Sequence, residues 1–433
     1  MKVLWIVNKP IGALHEKLFG KKSTGGLWME AMLERSREDQ SISIVIVNIS
    51  FVREVQKYVF KNETYYTIPG VPNEKYDYKS QKAHRYWREI IKAEKPDLIE
   101  LWGTEMPFSI PALEEAGNIP SVVYVQGILD SIGRYYQAGL TADELRKSYT
   151  FRDVITGDTI KKVQKRYLKR AVIEKQLVSM AKNIIVENQW AESYYMRMCH
   201  DVRVFRCPLS ISEIFSSIEW SFEKMQPYTI MCSAANYPIK GLHMLLKALT
   251  IVKAYYPDVK LFIPGTPLRP VNSVKSWIKQ SGYDKLIRLM ISELGCVEVV
   301  SYTGRLTAED MAKKMSEVNA FVMCSAIENH SSTLKEAMSV GVPCVASYVG
   351  GVPEYARNKE NCLLYRFEDY EHLAMNLISL FRSQELCQKL SVQSRFDMKN
   401  SREQNDFYQI SKDIYRAILN LSLIHISEPT RRT

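Results

Sequence analysis

The chain has 433 residues, 46% hydrophobic and 24% charged, a composition typical of a globular protein too long for a single core. No stretch approaches the roughly 18 uninterrupted apolar residues of a membrane span, and the apolar run in MKVLWIVNKP is too short for a secretory signal, so we expect a cytoplasmic protein. The net charge of +10 favours anionic partners, such as nucleotide diphosphates or acidic lipid headgroups.

The first half alternates strand-like and helix-like patterns. Helical patterns occur at 27–36 and 80–93, and residues 55–67, rich in Val, Tyr and Thr, indicate a small meander. The apolar runs typical of buried parallel strands are residues 2–8, 42–49, 97–102, 121–126 and 183–187. This alternation predicts a Rossmann-like N-terminal domain over residues 1–206.

A basic segment from residue 159 onward has the pattern of an amphipathic helix. Its apolar stripe consists of Val163, Tyr167, Leu168, Ala171 and Val172. Its cations are Lys161, Lys162, Lys165, Arg166, Lys169 and Arg170. Two interpretations remain open: a helix lying on an acidic membrane leaflet, or a long surface helix with a solvated basic face.

The alternation lapses near residues 206–227 and then restarts. The helical patterns of this half are 242–256, 308–317 and 370–382. Its strand candidates are 228–234, 259–264, 299–303, 319–325, 343–349 and 361–365. Two runs of βα units predict an α/β protein with two doubly wound, Rossmann-like domains, the second over residues 207–395. We expect ligands at the carboxyl ends of the strands, in the cleft between the domains.

The eight cysteines all lie at or after Cys199, and none forms a C-x-x-C pair. Several fall in apolar, strand-like runs, so buried reduced thiols are favoured over disulfides or zinc. The seven histidines show no ligand spacing, and no D-x-D motif is present. We therefore predict no metal site.

Residues 319–355 carry the most informative pattern of the chain: strand, loop, helix, strand and glycine turn. Two carboxylates, Glu328 and Glu336, lie eight residues apart across the predicted start of the helix. A helix N-terminus presents unpaired N–H groups and a positive partial charge, which suits a phosphate. Flanking carboxylates suit sugar hydroxyls, so the segment predicts a nucleotide-sugar site.

This stretch resembles the signature of retaining glycosyltransferases of family 4, which have the GT-B fold. The motif E-x(7)-E is followed here by GVPCVAS and then GGVPE, residues 350–354. The resemblance implies a nucleotide diphosphate sugar donor, a glycan or lipid-linked acceptor, and no metal or cofactor. It also implies that a last helix, residues 396–421, returns to the N-terminal domain. Residues 422–433 lack a helical pattern and are predicted to be a non-native tail.

The resemblance implies distinct roles for the two carboxylates. Glu328 would contact the donor sugar ring, although an exposed loop glutamate is the alternative. Glu336 would bind the ribose hydroxyls, since a carboxylate can accept two hydrogen bonds from a diol. The alternative for Glu336 is a capping box with Thr333, three residues earlier.

The phosphate-facing residues also follow from the resemblance. Ser331, Ser332 and Thr333 would place backbone N–H groups against the diphosphate, although plain N-capping predicts the same residue types. Lys240 would neutralise the leaving diphosphate, or is an ordinary loop lysine. Ala235 stands where relatives carry an arginine, and Arg305 is a candidate to compensate.

In the N-terminal domain, the family's glycine pair corresponds to Gly25 and Gly26. These glycines would allow close approach to the donor phosphates or acceptor, or form a flexible loop. Glu105 and Gln126 follow strands and are predicted to lie on the acceptor side. Gln126 stands where many relatives have a histidine, and glutamine cannot act as a base.

The predicted function is retaining, metal-independent transfer of a hexose-type sugar, in bacterial surface polysaccharide synthesis at or near the inner face of the plasma membrane. The alternative from another class is a catalytically impaired sugar-nucleotide-binding or scaffold protein, which the alanine at position 235 motivates. A GT-B epimerase fits the complete signature less well, and no nucleic-acid-binding motif accompanies the basic segment.

Overall fold

The computed structural model describes residues 1–20, 27–60, 63–71, 75–105, 107–209, 211–233, 236–268, 271–404 and 406–427. Contacts divide the chain into two compact units. Unit 1 comprises Met1–Leu129, Lys169–Ser210 and Asn405–Thr433, and unit 2 comprises Asp130–Leu168 and Ile211–Gln404. No helix within the described ranges is both long enough and apolar enough to cross a membrane.

Unit 1 is built on a sheet of eight strands. They are β1 (Lys2–Val7), β2 (Ser43–Ser50), β3 (Gln56–Phe60), β4 (Glu63–Pro69), β5 (Leu98–Trp102), β6 (Ser121–Tyr124), β7 (Asn183–Val186) and β8 (Arg203–Arg206). The order is β3-β4-β2-β1-β5-β6-β7-β8, and only the β3–β4 pair is antiparallel. The meander predicted near residues 55–67 is this antiparallel pair.

Strand β8 was not predicted from the sequence. Its four residues, RVFR, place two exposed arginines around a half-buried centre, at the edge of the sheet. An edge strand pairs on one side only and needs no continuous apolar run. The apolar pattern that revealed the central strands is therefore missing here.

Unit 2 contains a sheet of six parallel strands, all of them predicted. They are β9 (Gln226–Cys232), β10 (Lys260–Pro264), β11 (Val300–Gly304), β12 (Val318–Met323), β13 (Cys344–Ser347) and β14 (Leu363–Tyr365). The order is β11-β10-β9-β12-β13-β14, with every pair parallel. β12 is buried along its whole length, as expected for a strand covered on both faces.

Helices connect the strands. They are α1 (Gly12–Phe19), α2 (Leu27–Glu38), α3 (Gln81–Glu94), α4 (Ile110–Glu115), α5 (Leu129–Tyr135), α6 (Ala142–Lys147), α7 (Phe151–Thr156), α8 (Ile160–Ala181), α9 (Gln189–Met198), α10 (Ile214–Ser217), α11 (Leu242–Tyr255), α12 (Val274–Ile278), α13 (Gly282–Glu293), α14 (Ala308–Glu317), α15 (Ser332–Val340), α16 (Tyr370–Arg382), α17 (Gln384–Gln404) and α18 (Phe407–Ser427). Short 3-10 helices occupy Pro107–Ser109, Pro238–Lys240 and Val352–Glu354. All eight cysteines are buried free thiols.

The division into units differs from the predicted boundary at residue 206, because residues 130–168 pack within unit 2. The ring of His243 hydrogen-bonds the carbonyl oxygen of Ala138 at 2.7 Å. The Asp153 carboxylate accepts the Gly282 N–H at 2.7 Å. These contacts join residues more than 100 positions apart, and helix and strand periodicity carries no information about such pairings.

Helix α8 uses part of its apolar stripe for internal packing. Val163 and Tyr167 pack against the core of unit 2, and the Tyr167 ring lies 5.2 Å from the Tyr136 ring. The prediction of one continuous apolar face, free to lie on a membrane, is wrong for these two residues. The lysines at 161, 162 and 165 are exposed.

Helix α18 packs within unit 1. The Tyr408 hydroxyl donates to Asp39 at 3.0 Å, and the Tyr415 hydroxyl donates to Glu100. The helix continues to Ser427, so residues 422–427 extend it, contrary to the prediction of a non-helical tail; residues 428–433 lie outside the described part. No glycine or proline interrupts the segment before Pro429, and helices usually end before a proline.

Glu100, on β5, is a buried acid in the core of unit 1, with 1% of its surface exposed. One carboxylate oxygen accepts the Tyr415 hydroxyl, while Oε1 has no hydrogen-bond partner within the described residues. Burial raises the pKa of Glu100 to about 8. The side chain is therefore largely protonated in the folded protein at neutral pH.

We predict that Glu100→Gln stabilises the protein at pH 8 but not at pH 4.5. Between its usual pKa of 4.5 and about 8, folded Glu100 keeps a proton that the unfolded chain has lost. The free energy of unfolding therefore falls as pH rises through this window, by at most about 1.4 kcal/mol per pH unit. Thermal unfolding at both pH values tests this, with the exposed Glu309→Gln as control. Equal melting temperatures of wild type and Glu100→Gln at pH 8 would contradict the prediction.

Candidate functional site

Three loops of unit 2 meet at one edge of its sheet. Lys240 ends the short 3-10 helix that follows β9, Glu328 lies in the loop after β12, and Gly350 lies in the turn after β13. Because β9, β12 and β13 are neighbouring parallel strands, their carboxyl ends share the edge where ligands of such sheets bind. Residues separated by more than 100 positions are thereby brought together.

Lys240 and Glu328 are in direct contact. Nζ of Lys240 donates to Oε1 of Glu328 at 2.5 Å, and the Ser325 hydroxyl donates to the same oxygen at 2.6 Å. The side chains are 24% and 14% exposed, so the pair is recessed but open to solvent. Burial alone would lower the pKa of Lys240, but the nearby Glu328 carboxylate outweighs it and the pKa is raised. Lys240 therefore remains a cation.

Two glycines allow the loops to approach so closely. Gly241 has φ +72°, and a Cβ there would lie 1.7 Å from the Cys324 carbonyl oxygen. Gly350 has φ +52°, and a Cβ there would lie 1.8 Å from the Glu328 carbonyl oxygen. No side chain fits either position without moving backbone. The K-G and G-G pairs of the sequence are thus required by the packing of the site loops.

The structure defines the start of α15. Ser331 is the N-cap, its hydroxyl accepting the Leu334 N–H at 3.3 Å, and Ser332 and Thr333 belong to the first turn. The capping box proposed for Thr333 and Glu336 is wrong, because Thr333 lies inside the helix. The first-turn N–H groups that no cap satisfies are the donors that an anion could accept.

Glu336, the fifth residue of α15, points from the helix without a salt bridge or hydrogen bond to any residue that the structure describes. Burial raises the pKa of its carboxyl to about 7. Its side chain still reaches solvent in part. A recessed carboxyl that titrates near neutral pH is able to accept hydrogen bonds from a ligand's hydroxyls when ionised.

Sequence analysis did not identify two polar residues that shape this site. Ser325 orients Glu328, and its own carbonyl accepts the Ser347 hydroxyl at 2.6 Å. Tyr355 donates to the Ser331 carbonyl at 3.4 Å, and the Lys335 ammonium lies 4.9 Å from the centre of the Tyr355 ring. Their positions, three residues before Glu328 and directly after GGVPE, were the available signal.

Other predicted donor residues are not brought into this group. Arg305 follows β11, two strands away from β9 at the edge of the sheet, and is exposed. Gly25, Gly26 and Ala235 lie outside the described residues. Among the residues with described positions, no three His, Cys, Asp or Glu side chains cluster as a metal site would require.

The predicted acceptor-side residues lie at the carboxyl edge of the sheet in unit 1. Glu105 follows β5 and Gln126 follows β6, its neighbour. The Asn8 side-chain amide, after β1, donates to Glu105 Oε1 at 2.6 Å. Burial raises the pKa of Glu105, which makes it a stronger candidate to hold a proton than an exposed glutamate.

Comparison with protein families places a known domain over this site. Residues 215–396 match the family described as Glycosyl transferases group 1. The matched range begins and ends within unit 2 and includes every residue of the Lys240–Glu328 site. Unit 2 therefore contains a glycosyltransferase group 1 domain.

Two curated relatives show how far the similarity extends. The uncharacterized glycosyltransferase YqgM of Bacillus subtilis is 23% identical over 258 residues, covering 59% of this chain and 67% of that protein. A GDP-mannose-dependent alpha-(1-6)-phosphatidylinositol monomannoside mannosyltransferase of Mycolicibacterium smegmatis is 29% identical over 132 residues. That match covers 29% of this chain and only 31% of the mannosyltransferase.

The fold is shared with solved glycosyltransferase structures. A sucrose-phosphate synthase from Thermosynechococcus elongatus superposes with a TM-score of 0.71 at 15% identity, over 97% of this chain and 99% of that one. At this identity the likeness concerns the fold alone. The predicted GT-B fold class, with two Rossmann-like α/β domains, is confirmed.

We predict that nucleoside diphosphate affinity rises with pH through about 7. The Glu336 carboxyl must lose its proton to accept two hydroxyl hydrogen bonds, and its pKa is about 7. Glu336→Gln should bind more weakly above pH 7 and lose this pH dependence. Calorimetric titration with UDP and GDP between pH 6 and 8.5 tests this. The same pH dependence in Glu336→Gln would assign the titration to another group.

Proposed function

We propose that this protein is a retaining glycosyltransferase of family 4. It moves a hexose-type sugar from a nucleotide diphosphate sugar to a hydroxyl of a glycan or lipid-linked glycan. The observation that carries the proposal is the contact between Lys240 and Glu328 beside the N-terminus of α15, at the carboxyl edge of the sheet. The group 1 domain over the same residues supports it.

The donor would lie across the start of α15. Its diphosphate would accept hydrogen bonds from N–H groups of the first turn, at Ser332 and Thr333, with the helix dipole favouring the negative charge. Glu336, one turn further along the helix, would receive the ribose hydroxyls. Glu328 would face the sugar ring, and Lys240 would face the phosphate oxygens. Each role matches the charge and burial of the side chain.

A front-face reaction fits this arrangement. The bond between the anomeric carbon and the phosphate oxygen breaks, and the acceptor oxygen bonds to that carbon on the same face. The acceptor's proton passes to the departing phosphate oxygen, so configuration is retained and no protein base is needed. The chain's contribution is positioning and charge: Lys240 stabilises the negative charge that grows on the leaving diphosphate. No metal ion enters the proposal.

For the acceptor, a lipid-linked or polysaccharide-type glycan is favoured. The Mycolicibacterium relative acts, by its name, on a phosphatidylinositol monomannoside, and the net charge of +10 favours acidic surfaces. Synthesis of a bacterial surface polysaccharide on the inner face of the plasma membrane would fit both. Glu105 and Gln126 are proposed to contact the acceptor.

The proposal is tested by incubating the protein with a panel of UDP-, GDP- and ADP-sugars and measuring release of the nucleoside diphosphate. Slow hydrolysis of one donor would be expected without acceptor, and faster release with a matching glycan. Tight binding of a nucleotide sugar without any turnover would instead favour a sugar-nucleotide-binding scaffold. Absence of nucleotide binding would refute both readings.

We predict that Glu328→Ala retains full affinity for the nucleoside diphosphate yet loses at least about 100-fold in turnover. Its proposed partner is the sugar ring, and its removal frees Lys240 for the phosphates. Binding is measured by calorimetry and turnover by release of nucleoside diphosphate. Glu317→Ala, an exposed acid at the end of α14, is the control. A loss of nucleotide affinity equal to that of Glu336→Ala would contradict the separate roles.

We predict that Lys240→Ala lowers kcat more than it raises KM, because the leaving oxygens carry more charge in the transition state than in the bound donor. Lys240→Arg should recover part of the loss. Excess EDTA should leave wild-type turnover unchanged. A variant kcat near wild type, or complete inhibition by EDTA, would overturn the proposed role of the lysine.

A further inference from the structure

Helix α7, in the segment that packs with unit 2, presents its apolar residues to solvent. Phe151, Val154 and Ile155 are 55%, 51% and 68% exposed. Their spacing of three and four residues places them on one face of the helix. An apolar side chain is ordinarily found on the buried face of a surface helix, so α7 has the reverse orientation.

Polar contacts hold α7 in this orientation. Asp153, on the opposite face, is buried and accepts the N–H of Gly282, the first residue of α13, at 2.7 Å. There its charge lies at the positive end of the helix dipole. The Lys285 ammonium donates to the Tyr149 carbonyl at 2.9 Å, just before α7. The outward apolar face is therefore fixed by the fold.

A basic surface adjoins this face. Asp158 links the two helices, lying 2.7 Å from Arg166 of α8 and 3.9 Å from Arg152 of α7. Residues 150–168 contain five basic and two acidic residues, a net charge of +3. Both acids are engaged in the contacts above. Lys161, Lys162 and Lys165 are exposed and form no ion pair with the residues that the structure describes.

We propose that α7 and the first turns of α8 dock on an anionic lipid surface. Phe151, Val154 and Ile155 insert at the level of the headgroups, while Lys161, Lys162 and Lys165 contact the acidic lipids around them. Pairing of this patch with itself in a second copy would oppose like charges across a two-fold axis, whereas an anionic leaflet complements them. The docking does not depend on the proposed transfer reaction.

The test is co-sedimentation of the full chain with vesicles of phosphatidylcholine containing 30% phosphatidylglycerol. Wild type should bind these vesicles at low salt, and 0.5 M NaCl or pure phosphatidylcholine should reduce binding by at least about tenfold, since salt screens exposed charges. Failure to bind the anionic vesicles at low salt would overturn the proposal. So would equal binding to pure phosphatidylcholine.

Two sets of variants separate the apolar and charged contributions. The triple change Phe151→Ser, Val154→Ser and Ile155→Ser, and the triple change Lys161→Glu, Lys162→Glu and Lys165→Glu, should each reduce binding at least about tenfold. The matched controls alter exposed residues on other helices of unit 2 and should bind like wild type. They are Met375→Ser with Val392→Ser and Phe396→Ser, and Lys313→Glu with Lys389→Glu and Lys399→Glu.

Further measurements make the outcome specific. Each variant must keep the wild-type melting temperature within about 2 °C, which the exposure of the substituted residues leads us to expect. Glu336→Ala should bind vesicles like wild type, so failure of the proposed chemistry and failure of lipid docking are distinguishable. Unchanged vesicle binding in both patch variants would refute the site. Dimerisation that the patch variants abolish would show that a second copy occupies the face instead.

Discussion

The contact between Lys240 and Glu328 depends on a close approach of three loops, and most of the architecture of unit 2 serves that approach. A cation and a carboxylate at 2.5 Å, with a hydroxyl on the same oxygen, hold one another in fixed positions before any ligand arrives. Preorganised charges are effective because they need not reorient during a reaction. The parallel sheet supplies the rigid frame, since its neighbouring strands end at one edge.

Backbone geometry sets the limits of this arrangement. Gly241 and Gly350 both adopt positive φ and both touch a carbonyl oxygen of the loop after β12. The Ala326 N–H also donates to the Ile239 carbonyl at 2.7 Å, which ties the loops that carry Glu328 and Lys240. Small residues at these points are therefore a condition for the ion pair, and side chains of any size would push the two loops apart.

The segment 130–168 connects the site with the surface. A small apolar cluster of Ala138, Ile239 and Ala326 places this segment directly behind the loops of Lys240 and Glu328. The same segment carries α7, whose apolar face is exposed. One stretch of chain thus supports the proposed donor site from one side and presents the proposed lipid-binding face on the other.

The sequence by itself determined the α/β class, the six strands of the second sheet and the residues of the ion pair, because buried parallel strands and their turns have local patterns. Glu328 and Glu336 were found from spacing and from a family signature. The edge strand β8 was missed, since a strand paired on one side lacks an apolar run. Only the tertiary structure decided which unit residues 130–168 join, that Ser325 orients Glu328, and that Ser331 rather than Thr333 caps α15. It also decided that α7 turns its apolar side outward. These features depend on contacts between distant residues, or on the position of a helix end to within two residues, and neither is encoded in the periodicity of a local segment.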